Sequence, residues 1–165
     1  MGLSDHRRSA VDVVRCAVVT VSDTRTEASD ASGRAIVELL EEAGHLVESK
    51  AIVRDEPEQV RTIVGAHLGR LDAVITTGGT GIASRDTTCD ALEQLLHKQL
   101  DGFGELFRAL SYGEIGSAAM LSRATAGVAH GTVVFVLPGS EKAVRLAMTK
   151  LIVPELGHVV YELRK

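Results

Sequence analysis

The stretch Leu71-Asp72-Ala73-Val74-Ile75-Thr76-Thr77-Gly78-Gly79-Thr80-Gly81 decides how this chain is read. Leu71 to Thr76 is a short apolar run with β-branched residues, the pattern of a buried strand. A glycine-rich loop, Thr77 to Gly81, follows at once, and Leu92, Leu95 and Leu96 then mark a helix. Strand, loop and helix in that order form the unit from which parallel sheets are built. Successive glycines let backbone N–H groups approach an anion with no Cβ in the way, and Thr77 and Thr80 add hydroxyl donors. A tight turn without a ligand is the other reading of the same five residues.

The unit repeats toward the N-terminus. Cys16 to Val21 reads as a buried strand ending in Ser22-Asp23, and Thr24 to Asp30 as a loop. Asp30 or Ser32 can cap a helix whose apolar face is Ile36, Leu39, Leu40 and Ala43, with Gly44 free to take φ > 0 after it. His45 to Val53 reads as a second strand. Asp55-Glu56-Pro57 opens a helix with Pro57 in its first turn and Val60, Ile63, Val64 and Leu68 on its apolar stripe.

Toward the C-terminus, Phe103, Leu106, Phe107 and Leu110 fit one short helix, and Ala118 to Thr125 a second. Thr132 to Leu137 is a strand ending at Pro138-Gly139-Ser140. A helix from about Glu141 to Ile152 follows, and Pro154 begins a last one. Apolar strands alternating with amphipathic helices imply an α/β fold, a parallel sheet covered on both faces. The expected organisation is a flexible arm over residues 1–13 and a single domain over residues 14–165.

Composition narrows the function. At 165 residues the chain fits one domain, and with no Trp, two Tyr and three Phe its core must rest on aliphatic side chains. The net charge of −4 and the scatter of the 18 basic residues argue against a nucleic-acid partner. No apolar run reaches the ~18 residues of a membrane span. The start lacks an apolar signal core and the myristoylation pattern, so the expected compartment is the cytoplasm. Cys16 and Cys89 form no CxxC pair and read as core thiols. His45, His97, His130 and His158 read as surface or loop residues, with no zinc-ligand spacing among the six histidines. There is no Gly-x-Ser-x-Gly elbow and no Walker A loop. Gly79-x-Gly81-x-x-Ser84 departs from the dinucleotide fingerprint at its last position.

In an open parallel sheet, ligands collect beyond the carboxyl ends of the strands. Three predicted strands end in ligand-ready loops there: Ser22-Asp23, Thr77 to Gly81, and Pro138-Gly139-Ser140. Arg85 offers a planar fork of donors to phosphate, and the adjacent Asp86 can hold Mg²⁺ or orient a nucleophile. Asp86, Thr87 or Thr88 can equally cap the next helix. Asp55 poses the same choice between cap and metal ligand. At Pro138-Gly139-Ser140-Glu141-Lys142, orphan N–H groups, a hydroxyl and a point charge meet at a helix start. An ordinary capped helix is the alternative.

With these residues in view, the chain resembles the MoaB/Mog family of molybdenum cofactor biosynthesis, the molybdopterin adenylyltransferases. The likeness runs from about Val14 to His158. It is carried by Thr20-Val21-Ser22-Asp23, Asp55-Glu56, Thr77-Gly78-Gly79-Thr80-Gly81 with Arg85-Asp86, Gly102-Phe103-Gly104-Glu105, Leu121-Ser122-Arg123 and Leu137-Pro138-Gly139-Ser140-x-Lys142. Asp30-Ala31-Ser32-Gly33 and the run Phe107 to Ile115 are similar to the MoaB branch. The resemblance implies a three-layer α/β/α fold, molybdopterin binding, and MgATP-dependent transfer of AMP to molybdopterin with release of pyrophosphate. It assigns Asp55 and Asp86 to an acidic pair near Mg²⁺, and it puts Ser122, Arg123 and Lys142 among the binding residues. It further implies a homo-oligomer, trimer or hexamer, and contact with other enzymes of the pathway. A non-catalytic molybdopterin carrier is the alternative within the family. Cys89 and Glu141 stand where the family often has Pro.

Overall fold

The computed structural model describes residues 9–165. Its six strands are β1 (Arg15–Val21), β2 (Leu46–Val53), β3 (Ala73–Thr77), β4 (Lys98–Gln99), β5 (Thr125–Ala129) and β6 (Thr132–Leu137). They form one sheet in the order β2-β1-β3-β6-β5-β4. The first four in that order are parallel, while β5 and β4 add an antiparallel edge. The helices are α1 (Ala31–Glu42), α2 (Pro57–Gly65), α3 (Thr88–Glu93), α4 (Asp101–Ile115), α5 (Glu141–Ala147) and α6 (Val153–Leu163).

Alternation along the central strands fills two cores. Val18, Ile75, Phe135 and Leu137 face Ile36 and Leu40 of α1, Phe107 of α4 and Met148, Leu156 and Val160 of the C-terminal helices. Ala17, Val19, Val74, Val134 and Val136 face Val60 and Val64 of α2 and Leu92 of α3. Helices therefore cover both faces of the mostly parallel sheet, the three-layer α/β/α arrangement. Both thiols are core groups, and burial raises Cys16 to about 12 and Cys89 to about 11.

Register is what positions the site. Thr20 of β1 lies opposite Thr77 of β3, Thr77 lies opposite Leu137 of β6, and Val21 lies opposite Val53 of β2. Four parallel strands thus end almost flush, so the chain leaves the sheet side by side at residues 22, 54, 78 and 138. Because β1 is flanked by β2 on one side and β3 on the other, the strand order reverses at this point, where crossovers diverge and leave a crevice.

Several sequence expectations need correction. Ala118 to Thr125 is not a helix: a 3₁₀ turn covers Gly116–Leu121, and Thr125 begins β5. That strand is held by a hairpin to β6, whose turn residues His130 and Gly131 take φ of 50° and 76°, as a two-residue hairpin needs. The α3 helix stops at Glu93, and Leu96 instead packs onto the bare backbone of Gly127, the side of a Cβ there falling 2.6 Å from Leu96 Cδ1. The α4 helix is longer than expected, 15 residues, with Leu106 exposed. Ala43 is the exposed C-cap of α1 rather than part of its buried face. Pro154 stands in the first turn of the last helix, α6, as expected, but no loop precedes it: helical backbone runs from Glu141 through a π-turn at Met148–Ile152 into α6. A π-turn just before the proline accommodates a ring that lacks an N–H. His45 is buried, and its Nδ1 accepts from Val14 N–H at 3.2 Å. Burial lowers its pKa, in keeping with a neutral ring that accepts at Nδ1. Residues 1–8 of the expected arm lie outside the described residues, and Val11 N–H donates to Gly157 O of α6 at 3.0 Å.

At the carboxyl edge, Gly78 has φ of 99°, and a Cβ there would fall 2.2 Å from the carbonyl oxygen of Val21. Both strain and clash act against backbone, which cannot swing aside. Gly78→Ala is expected to lower unfolding stability by roughly 2–3 kcal/mol, read from urea denaturation midpoints at unchanged m.

Candidate active site at the carboxyl edge of the sheet

Three loops meet through their backbones. Gly78 N–H donates to Leu137 O at 3.0 Å, and Thr77 Oγ1 donates to Pro138 O at 2.7 Å. Gly139 rests on Gly78, the site of its missing Cβ lying 3.5 Å from Gly78 Cα. Gly79 has φ of 67°, and a Cβ on it would come 2.0 Å from Thr88 Oγ1 and 2.7 Å from Asp55 Oδ2. A Cβ on Gly81 would lie 2.6 Å from Asp86 Oδ2. The glycines are therefore spaces that side chains of other segments occupy, and Asp55 and Asp86 flank the loop between them.

The carboxylates here differ in environment. Asp55 is buried, and its Oδ1 accepts from Thr87 Oγ1 at 3.1 Å. Burial raises its pKa, the Thr87 hydrogen bonds oppose this, and the charges of Asp86 and Asp23 add to the rise. Asp23 goes the other way, lowered by the Arg85 hydrogen bond and by Asp55 N–H. Arg85 Nε and Nη2 donate to Asp23 at 2.9 and 3.2 Å, and Nη2 also donates to Glu56 at 2.7 Å. These two acids raise the Arg85 pKa above its ordinary range, and they take up its Nε and Nη2 donors. Asp86 Oδ2 accepts Ala83 N–H at 3.1 Å, closing the turn after Gly81. Thr88 Oγ1, fully buried against Gly79, has no hydrogen-bond partner among the described residues. A buried orphan hydroxyl is costly unless something later engages it.

A cavity of about 340 Å³ opens beside this edge. One side offers Thr80, Gly81, Gly139 and Ser140; the other is apolar, with Phe107 and Ile115 of α4 and Leu121 of the 3₁₀ turn. A larger cavity of about 520 Å³ lies at the opposite edge, between Arg15, His67 and Arg70, far from every loop described above. Convergence of elements, not volume, identifies the site.

Most of the sequence-predicted residues converge, and the rest, Arg85 among them, are held by other partners. Thr77, Gly78, Gly79, Thr80, Gly81, Asp55, Asp86, Pro138, Gly139 and Ser140 come together at one edge. Ser22, Asp23 and Ser140 also have local tasks: Ser22 Oγ accepts from Thr24 and Arg25 N–H, and Ser140 Oγ caps α5 through Ala143 N–H. Ser122 lines the cavity, whereas Arg123 turns to Asp90 at 2.7 Å. Lys142, largely exposed, lies 3.8 Å from Glu114 in a small adjoining hollow. Glu141 is bound to Arg145 one turn along α5 and so is drawn away from the loop. Sequence reading missed Thr87 and Thr88 as partners of Asp55 and Gly79, and the Phe107, Ile115 and Leu121 wall. Apolar residues on a helix carry no signal that separates a pocket wall from core.

The chain falls in a known class of α/β domains: residues 17–158 match the family model described as "Probable molybdopterin binding domain". Molybdenum cofactor biosynthesis protein B of Bacillus anthracis is 54% identical over 168 aligned residues, covering 100% of this chain and 99% of that protein. A crystal structure of a molybdenum cofactor biosynthesis protein B superimposes with TM-score 0.89 at 55% identity, covering 94% of this chain and 98% of the other. The tungsten cofactor synthesizing protein MoaB of Pyrococcus furiosus gives TM-score 0.82 at 40% identity over 94% of this chain and 100% of that one. The chain belongs to the MoaB/Mog family of molybdenum cofactor biosynthesis proteins, on the MoaB side.

Asp55 carries its charge at a cost set by burial and by neighbouring acids. Its folded pKa exceeds that of the unfolded chain, so the native state binds the proton more tightly and stability falls as pH rises through that window. Asp55→Asn keeps the acceptor for Thr87 and removes the charge. It is expected to raise Tm at pH 7.5, with the gain shrinking as pH falls toward the unfolded value, in a melting series without divalent ions.

Proposed function

We propose that this protein is a nucleotidyltransferase that uses MgATP to adenylylate molybdopterin and releases pyrophosphate. The observation that supports it best is the bracketing of a bare glycine loop by two carboxylates from different segments, Asp55 and Asp86. An oxygen of the terminal phosphate monoester of molybdopterin would attack the α-phosphorus of ATP. The bond from that phosphorus to the bridging oxygen would break, and pyrophosphate would leave with the electron pair. Both reactants are anions, so neutralisation and in-line alignment govern the rate more than a strong base does.

The residues divide this work. Amides of Gly79, Thr80 and Gly81 offer donors to phosphate oxygens, while the Phe107, Ile115 and Leu121 wall suits a flat pterin. Asp55 and Asp86 are hard oxygen donors that fit Mg²⁺, which is commonly held by one or two carboxylates with substrate phosphates completing its shell. Among the described residues there is no group of three or more His, Cys, Asp or Glu arranged as a self-sufficient metal site, in keeping with such a shared shell. The ion, when bound, would offset charge on the reacting phosphates. The orphan Thr88 hydroxyl beside Gly79 and Asp55 gives the same locus a further donor.

The setting is read in the same way. Leu106, Tyr112 and Met120 expose apolar surface along α4 and the 3₁₀ turn, which a second copy in a trimeric or hexameric homo-oligomer would cover. Among the described residues no helix is long and apolar enough to cross a membrane; a cytoplasmic location and contact with other enzymes of the pathway belong to the proposal.

The deciding assay combines purified protein, molybdopterin and MgATP and monitors adenylylated pterin and pyrophosphate. Asp86→Ala is expected to cut AMP transfer at least about a hundredfold while molybdopterin binding stays near wild type. Near-normal turnover in that variant would reject the assignment. Molybdopterin binding by wild type without any calorimetric signal for MgATP would favour a carrier instead.

A further inference from the structure

The carbonyl oxygen of Gly139 is gripped from a distant part of the chain. Arg25 Nη2 donates to it at 2.7 Å and Ser32 Oγ donates to it at 2.6 Å. Arg25 Nη1 also donates to Ser32 Oγ at 3.1 Å, so the three groups form a closed triangle. Behind them stands Asp30, fully buried, whose carboxylate accepts from Thr20 Oγ1 at 2.8 Å and from Gly33 N–H at 3.0 Å. Arg25 and Lys50 lie 3.8 and 3.7 Å from that carboxylate. Two cations against one anion leave the cluster with a net positive charge just behind the loop that follows β6.

We propose that Arg25 and Ser32 are positioning residues that set the Ser140 amide as a donor to an anionic oxygen in the adjoining cavity. A trans peptide unit is planar, with its C=O and N–H pointing in opposite directions. Fixing the Gly139 carbonyl toward Arg25 and Ser32 therefore turns the N–H of the same unit, that of Ser140, away from them. Gly139 and Ser140 line the cavity, while Arg25 and Ser32 do not, so the side away from Arg25 is the ligand side. Two donors on one carbonyl also hold the peptide plane against rotation, so the amide is oriented before an anion arrives. Both grips arrive from the loop and helix after β1, which ties the donor on the β6 loop to the fixed frame of the central strand. The assignment rests on the reading of this cavity as a phosphate site, and it adds the device that aims one of its donors.

The test uses the full-length ¹⁵N-labelled protein titrated with inorganic phosphate, with the Ser140 and Gly81 amides followed by NMR. In wild type both amides are expected to shift together. Arg25→Gln, which removes a charged donor, should weaken phosphate binding at least about tenfold, and Ser32→Ala, which removes a neutral one, should weaken it by less. At saturation the Ser140 response should collapse while that of Gly81 persists, a separation that general loosening of the fold does not produce. Arg25→Lys, which keeps the charge but not the planar fork, should recover affinity only in part. Wild-type spectra with no response at either amide would remove the phosphate reading and this proposal with it. A wild-type response matched in affinity and Ser140 amplitude by Arg25→Gln and Ser32→Ala would leave the site standing and overturn the positioning role.

Discussion

The close approach of Gly78 to Val21 is the constraint on which the site depends. At this point the first residue after β3 leans on the last carbonyl of β1 while its N–H holds the last carbonyl of β6. One residue without a side chain thereby joins three strand ends. Any Cβ would push β1 and β3 apart and would move Gly79, Gly81 and Gly139 with them. Flush strand register sets up that contact, since Thr20, Thr77 and Leu137 lie on one line across the sheet. Burial on both faces fixes the register, because a slip of one residue would send every apolar side chain to the wrong core.

On that frame the site is organised by competition among charges. Asp23, Glu56, Asp55 and Asp86 surround a short loop, and Arg85 is the cation that ties two of them together. Asp23 is thereby kept well ionised, while Asp55, left to burial and to its acidic neighbours, holds its charge less readily. Two acids from separate segments beside backbone donors give a surface on which a bound cation would strengthen the hold on an anion. In the proposed function these would be the metal and the nucleotide, beside the unsatisfied Thr88 hydroxyl. The cluster of Arg25, Lys50 and Asp30 supplies the opposite potential behind the β6 loop, so the crevice has an acidic end and a basic back wall.

Much of this was legible in the sequence, for identifiable reasons. Thr132 to Leu137 was readable to the residue because a fully buried strand is a continuous apolar run bounded by Gly and Pro. Gly44 was readable because a helix end favours φ > 0, and Gly78 and Gly79 because a glycine loop signals backbone that must pack without a Cβ. Thr125 to Ala129 was not, since Thr-Ala-Gly-Val-Ala has little strand character of its own and is held by its neighbour. The commitment of Arg85 to Asp23 and Glu56 was also hidden: spacing shows that a guanidinium is near a phosphate loop, not which acids reach it first. Arg25 lay in a segment that reads only as polar loop, and its partner Gly139 is 114 residues away. Long-range contacts between single polar groups leave no periodicity to detect.

The most direct test of the account is anomalous diffraction from crystals grown with Mn²⁺ in place of Mg²⁺ and a non-hydrolysable ATP analogue. The predicted result is a manganese peak between the carboxylates of Asp55 and Asp86, with nucleotide phosphates against Gly79 to Gly81. A nucleotide seated at the other edge of the sheet, or a metal bound with neither carboxylate in its shell, would contradict it.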